Sequence, residues 1–212
     1  LLAASVDTPA SCETLEAEDI ACLLFTGGTT GHPKGAQISH RQVCWNVLNT
    51  VTHDVQHEDI YLNVFPLFHT GGLFTYLSSQ VVFGNTTILL KQFDPALVLR
   101  LIERERVTIF AGVPTMYWAL MSYPEAENFD LAKIRDTMRV AVSGGAPLSP
   151  TIAKCFLGLG LPLVQGYGMT ETSPVVCVNT VHDNDPASVG RALPGVEAVS
   201  YTQLTPPPIY TV

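Results

Sequence analysis

Charge is what this sequence has least of. Asp, Glu, Lys and Arg make up 14% of its 212 residues, where soluble domains usually carry about 25%. Lys and Arg number 11 against 19 Asp and Glu, for a net charge of −8. Binding to nucleic acid needs clustered Lys and Arg to neutralise phosphates, and none cluster here, so nucleic acid is excluded as a partner. The same shortage excludes a basic helix lying on a membrane surface. Cysteine is sparse and unpatterned: Cys12, Cys22, Cys44, Cys155 and Cys177 form no Cys-x-x-Cys pair. They read as reduced thiols of an intracellular protein, not as a disulfide or zinc framework.

Long hydrophobic runs are missing too. Ile60 to Leu90 contains no Asp, Glu, Lys or Arg, yet Pro66, His69, Gly71, Gly72, Ser78, Ser79 and Gln80 interrupt it. No stretch reaches the about 20 apolar residues of a membrane-spanning helix, so a buried core segment is expected. Residue 1 is Leu and no basic, cleavable leader follows. At roughly 150 residues per domain, the length fits one large domain or one and a half, a hint that the chain is part of something larger.

What is present alternates short apolar runs with helical patterns. Residues 1–18 are polar and acidic and read as a surface approach. Ala21 to Phe25 is strand-like and runs into a loop, Thr26 to Gly35. Ser39 is placed to cap a helix over Arg41 to Thr52, with Val43, Val47, Leu48 and Val51 facing the core. Ile60 to Phe65, Thr86 to Leu90, Val107 to Ala111, Arg139 to Ser143 and Leu161 to Val164 read as strands. Asp94-Pro95, Pro114 and Pro150 open helices, the first turning Leu97, Leu101 and Ile102 inward. Leu73 to Val82 reads as helix core, and Glu103 to Arg106 as a solvated helix end. Strands separated by helices predict an α/β fold with a mainly parallel sheet flanked by helices. In such sheets ligands sit where loops leave the carboxyl ends of strands. Val199 to Val212, with three consecutive prolines, has no hydrophobic period and resembles a translated library adapter. It is set apart from residues 1–198 as a non-native or disordered tail.

The densest chemistry is Thr26-Gly27-Gly28-Thr29-Thr30-Gly31-His32-Pro33-Lys34-Gly35. Its glycines let backbone amides turn toward an anion, its threonines add donors, and Lys34 adds positive charge. That is polyphosphate-binding chemistry, although Pro33 and Gly35 around Lys34 depart from the usual nucleoside-triphosphatase loop. Glu171 is an oxygen ligand suited to Mg²⁺, which takes one or two carboxylates plus phosphate oxygens, and Thr170 beside it can donate to an anionic oxygen. Tyr167, between Gly166 and Gly168, has its ring open to a flat ligand. His53 and His57 are four residues apart but lack a third ligand.

These residues resemble the adenylate-forming superfamily of acyl-CoA synthetases, luciferases and peptide-synthetase adenylation domains. The loop from Thr26 to Gly35 matches that family's phosphate loop with Gly27 in place of a serine. The lost hydroxyl is worth about 0.5–1.5 kcal/mol. Phe65-Pro66-Leu67-Phe68-His69 resembles the motif whose histidine lines the acyl pocket and thiol entrance. Ser143-Gly144-Gly145-Ala146-Pro147 resembles the adenine-contacting loop. Gln165-Gly166-Tyr167-Gly168-Met169-Thr170-Glu171 resembles the motif that stacks on adenine, reaches the α-phosphate and holds Mg²⁺. Ser188-Val189-Gly190-Arg191 with Pro194-Gly195 resembles a structural motif further on.

The resemblance implies that ATP is held by Thr26 to Gly31, Lys34, Gly144 to Pro147 and Gln165 to Thr170. It implies that Lys34, His69, Thr170 and Glu171 serve catalysis, with Glu171 on Mg²⁺. A carboxylic acid would be activated as its acyl-adenylate and passed to coenzyme A. The Gly-Tyr-Gly-Met-Thr-Glu variant looks like acyl-CoA synthetases more than peptide-synthetase domains. The apolar stretch from Leu73 suggests a fatty acid, with an aromatic acid of the coumarate or benzoate kind as the alternative. The family's ribose-binding Asp, hinge and small C-terminal domain would fall beyond Val196. The chain then reads as an internal part of the large domain of a cytoplasmic enzyme, peripheral membrane contact left open, and by itself a nucleotide-binding module without turnover. Oligomeric state is not legible.

Overall fold

The structure, a computed structural model, describes residues 14–27 and 31–199. The main sheet has seven strands in the order β4-β3-β5-β6-β7-β8-β9. These are β3 (Ile60–Asn63), β4 (Thr86–Leu89), β5 (Ile109–Gly112), β6 (Val140–Ser143), β7 (Leu163–Gly168), β8 (Val175–Val178) and β9 (Arg191–Ala192). The first five of that order run parallel, and β8 and β9 add an antiparallel margin. β5 and β6 are buried along their whole length. That two-sided burial explains their continuous apolar sequences and is what helix-covered parallel strands require.

Alternate residues feed two cores. On one face Leu62, Phe110, Ala141 and Leu163 meet helices α4 (Pro95–Arg104), α5 (Pro114–Met121), α6 (Leu131–Thr137) and α7 (Pro150–Gly158). On the other, Tyr61, Ile109, Val140, Val142 and Val164 meet Tyr76 and Phe83 near or on α3 (Leu77–Phe83). Helix starts follow their capping residues. Asp94 accepts from the Leu97 amide at 2.7 Å ahead of α4, and Pro95, Pro114 and Pro150 occupy first-turn positions. Ser39 and Gln42 form a capping box at α1 (His40–Thr50).

The amino edge of the sheet is tied by charge. Arg139, just before β6, reaches Asp59 at 2.5 Å and Asp54 at 2.7 Å. Asp59 is 2% exposed and also takes the Thr108 hydroxyl at 2.7 Å, so the residues preceding β3, β5 and β6 form one network.

Several expectations need correction. Ala21 to Phe25 does not enter the main sheet. β1 (Ile20–Thr26) pairs antiparallel with β2 (Lys34–Ser39) as a separate two-stranded ribbon, so the far side of the expected loop is strand. Gly166-Tyr167-Gly168 is the end of β7 and pairs with β8, beyond the expected strand end at Val164. Helix α1 buries Asn46, Asn49 and Thr50 with Val47, while Leu48 and Val51 are exposed. Asn46 donates to the Phe74 carbonyl, a partner that burial of an amide demands and that apolar periodicity cannot reveal. Leu97 is exposed and Val98 takes its inward place. Leu73 to Val82 is split between α2 (Thr70–Leu73) and α3, with Val81 and Val82 outward and Tyr76, Ser79 and Gln80 buried. Gly28, Thr29 and Thr30, residues 1–13 and residues 200–212 lie outside the described residues.

Candidate active site

Because β3, β5, β6 and β7 are parallel, the segments that follow them emerge along one edge. Phe65 to His69 leaves β3, Gly144 to Pro147 leaves β6, and Met169 to Glu171 leaves β7. Of the four motifs expected to meet ligands, three are thereby collected by topology alone, as expected for ligand sites in such sheets. The fourth, the β1–β2 ribbon, arrives from outside the sheet. β2 packs against the turn Thr170–Thr172, so Lys34 at the start of β2 and Thr170-Glu171 belong to neighbouring elements. Thr26 pairs with Lys34 across the ribbon, and its hydroxyl donates to the Lys34 carbonyl at 3.4 Å. The loop between them, with Gly27 and Gly31, is thus closed by a strand pair at its base.

The Met169–Pro174 segment is a built loop. The Thr172 hydroxyl spans the carbonyls of Met169 and Pro174, both at 2.9 Å, and the Met169 amide donates to the Pro174 carbonyl at 2.9 Å. A Cβ on Gly168 would lie 1.7 Å from the Pro174 carbonyl oxygen, so only glycine lets the two limbs close. Thr170 and Glu171 are presented at the tip, and Glu171 is exposed. Among the described residues no cation lies within ion-pair distance of Glu171 or anion within that distance of Lys34. No group of three or more His, Cys, Asp or Glu gathers among the described residues. A Mg²⁺ ion there would be carried by Glu171 together with phosphate oxygens and water, which is the ion's usual arrangement.

Tyr167 is 49% exposed, an open ring on the margin of β7 beside the 144–147 loop. That loop turns at Gly145, whose φ of 78° favours glycine. Gly144 lies against β7, with its Cβ position 3.5 Å from the Gly166 carbonyl oxygen. Gln165 is buried and its amide is already engaged. Its oxygen accepts from the Leu148 amide at 2.6 Å and its nitrogen donates to the Ser188 carbonyl at 3.1 Å. Gln165 therefore holds the loop after β6 and the Ser188 turn to β7. The Ser188-Val189-Gly190-Arg191 motif is structural in the same sense, with Asn179 donating to the Ser188 carbonyl at 2.7 Å.

His69 is exposed and caps α2: its Nδ1 accepts from the Gly71 amide at 3.0 Å. A neutral His69 ring so held carries its proton on Nε2, which faces away from the cap. Behind it, Asn63, 1% exposed, donates to the Gly72 carbonyl at 2.9 Å and accepts from the Phe65 amide at 3.0 Å. His53 is buried instead, with Nδ1 3.0 Å from the Tyr76 hydroxyl, and burial lowers its pKa to about 4. Among the described residues it belongs to no group of three or more His, Cys, Asp or Glu.

The profile of the family described as AMP-binding enzyme matches residues 2–200. This chain belongs to the AMP-binding enzyme family. It is 40% identical to a feruloyl-CoA synthase of Amycolatopsis sp over 162 residues, covering 76% of this chain and 32% of that protein. It is 35% identical to a long-chain-fatty-acid–CoA ligase of Bacillus subtilis over 192 residues, 88% of this chain and 34% of the relative. The chain thus spans about a third of the length of the curated relatives it matches. Among solved structures, the inhibitor-bound N-terminal domain of FACL13 from Mycobacterium tuberculosis superposes with a TM-score of 0.80 at 29% identity, covering 91% of this chain and 48% of that one. ATP-bound MatB from Rhodopseudomonas palustris also gives 0.80, at 33% identity, covering 91% and 37%.

Two supporting residues beside these motifs escape a motif reading. Thr172 and Asn63 act through hydrogen bonds to main chain two to nine residues away. Gln165 lies inside its motif, but its partners, 17 and 23 positions distant, are set by packing and cannot be read from it.

Proposed function

We propose that this chain is the acid-activating part of an AMP-forming acid–CoA ligase, residues 1–198 forming part of its adenylation domain. The observation that carries the reading is that Lys34 and Glu171, on two elements packed together beside the open Tyr167 ring, have no opposite charge within reach among the described residues. In this reading Thr26, Gly27, Gly31 and Lys34, with Gly28, Thr29 and Thr30, hold the β- and γ-phosphates of ATP. Tyr167 stacks on the adenine with Gly144 to Pro147 around it, and Thr170 donates to the α-phosphate or the substrate carboxylate. Mg²⁺, when bound through Glu171, supplies charge neutralisation near the α-phosphate. The carboxylate attacks that phosphorus and pyrophosphate leaves; the coenzyme A thiol then displaces AMP from the acyl group, with His69 lining the thiol's approach. Such chemistry depends on positioning and charge more than on covalent catalysis.

Two readings of the acid stand side by side. A fatty acid is supported by the apolar stretch from Leu73 and by the Bacillus relative's name. An aromatic acid is supported by the Amycolatopsis relative and by a 4-coumarate–CoA ligase of Arabidopsis thaliana, 36% identical over 177 residues. It also fits the inward face of that stretch, which carries Tyr76, Ser79 and Gln80 in place of aliphatic groups.

The test is carboxylate-dependent ATP–pyrophosphate exchange, with palmitate, ferulate and 4-coumarate offered in parallel. Exchange by the intact protein, and coenzyme A thioester formation with the same acid, is the expected result. No exchange with any carboxylate, or exchange insensitive to Glu171→Ala, would overturn the assignment. The 212 residues alone are expected to bind ATP with little or no turnover.

A further inference from the structure

One apolar cavity lies away from the carboxyl edge. It occupies about 410 Å³ on the α4–α7 side of the main sheet, with Phe110 as part of its floor and Tyr117, Phe156 and Cys155 in its walls. The aromatic wall is braced. Tyr117 meets Phe110 and Phe156 edge to face, with centroids 5.6 and 5.3 Å away. Its hydroxyl donates to the Val142 carbonyl at 2.8 Å. A ring held at both ends cannot fall into the space beside it, so the cavity is a fixed feature and not slack in the packing.

We propose that this cavity is a binding site for a small uncharged apolar molecule of about the bulk of naphthalene, separate from the ATP and acid sites. An engineered apolar cavity of about 150 Å³ stays dry and admits benzene, and this one has more than twice that volume. Its lining includes aromatic, aliphatic and methionine side chains, and the one carboxylate on it is Glu127, which is exposed. That acidic group, with no Lys or Arg in the lining, disfavours anions. A carboxylic acid, the substrate class proposed above, is therefore selected against, and the site suits a neutral hydrocarbon-like ligand. The inference is independent of the proposed activity.

The test is calorimetric titration of the intact protein with naphthalene, and with 2-naphthalenesulfonate as a charged counterpart of the same shape. Saturable binding of naphthalene, at least tenfold tighter than the sulfonate, is expected. Ala126→Phe, which fills the cavity from its lining, should weaken naphthalene at least tenfold while adenylation proceeds as before. In unmodified protein, naphthalene should slow alkylation of the half-buried Cys155 by iodoacetamide at least threefold, read by peptide mass. Equal naphthalene affinity in a folded Ala126→Phe protein, absence of saturable binding, or Cys155 alkylation unchanged by naphthalene would each overturn the proposal. Should Ala126→Phe not fold, the Cys155 readout decides by itself.

Discussion

The two edges of the main sheet use charge in opposite ways. At the amino edge Arg139, Asp54 and Asp59 are paired with one another, and Asp59 is withdrawn from water. At the carboxyl edge Glu171 is exposed and neither it nor Lys34 has an opposite charge within reach among the described residues. A buried charge needs its partner, because the desolvation cost of an uncompensated ion far exceeds the gain from packing. An unpaired exposed charge costs little and stays available to a ligand. The comparison separates two uses of charge: one edge spends it on holding the sheet together, and on the proposed function the other would keep it for ATP and Mg²⁺.

That contrast can be broken by mutation. Arg139→Met should cost about 3–5 kcal/mol of stability, since it strands buried Asp59, with ligand affinity of the remaining folded protein unchanged. Chemical denaturation with ATP titration checks both halves. Glu171→Ala should do the reverse, raising the barrier of pyrophosphate exchange by about 2.7–4 kcal/mol while the melting curve stays put, as exposed substitutions usually do. A large stability loss from this variant would erase the distinction between the edges.

Acid sharpens the comparison. His53, beside Asp54 at the amino edge, is held neutral by burial, its pKa falling from 6.5 to about 4. Below pH 6.5 the unfolded chain takes up a proton that the folded chain refuses. Stability from this group is therefore complete above that pH and declines toward pH 4, by about 3 kcal/mol in total at roughly 1.4 kcal/mol per unit. His53→Phe should flatten that slope in urea titrations between the two pH values.

Gln165 bridges the two regimes, a buried group serving exposed loops. Gln165→Ala leaves the Leu148 amide unpaired and should cost about 1–3 kcal/mol of stability along with weaker ATP binding, measured on one sample by calorimetry. Smallest is Tyr61→Phe. The Tyr61 hydroxyl is buried without a partner among the described residues, so its removal should change stability by less than about 1 kcal/mol, in the stabilising direction.

Much of the main sheet could be read from residue patterns. The strands at Ile60, Thr86, Val107 and Arg139 are short, mostly apolar runs, and Asp94-Pro95 and Pro150 open the helices expected of them. The β1–β2 ribbon was half legible. Lys34 to Ser39 carries Gly35, Gln37 and no apolar alternation strong enough to announce a strand, and its pairing with β1 is what makes it one. Helix α1 misled for a related reason: its buried face is amide, satisfied by a carbonyl 28 residues away. The motif residues were all visible. The clamps Thr172 and Asn63 were not, nor were the partners of Gln165, because a hydrogen bond to main chain leaves no periodic trace.

Residue types and their spacing determined by themselves the chemistry on offer: a glycine- and threonine-rich loop with Lys34, a carboxylate at Glu171, an aromatic face at Tyr167. Those properties belong to side chains whatever the fold. Only the tertiary structure decided that the Lys34 strand lies against the Glu171 turn and that Gln165 is spent on Leu148 and Ser188. It alone opened a braced apolar cavity behind the sheet. Each of these depends on surfaces brought together across the chain, where burial and partner choice are set by packing and not by local preference.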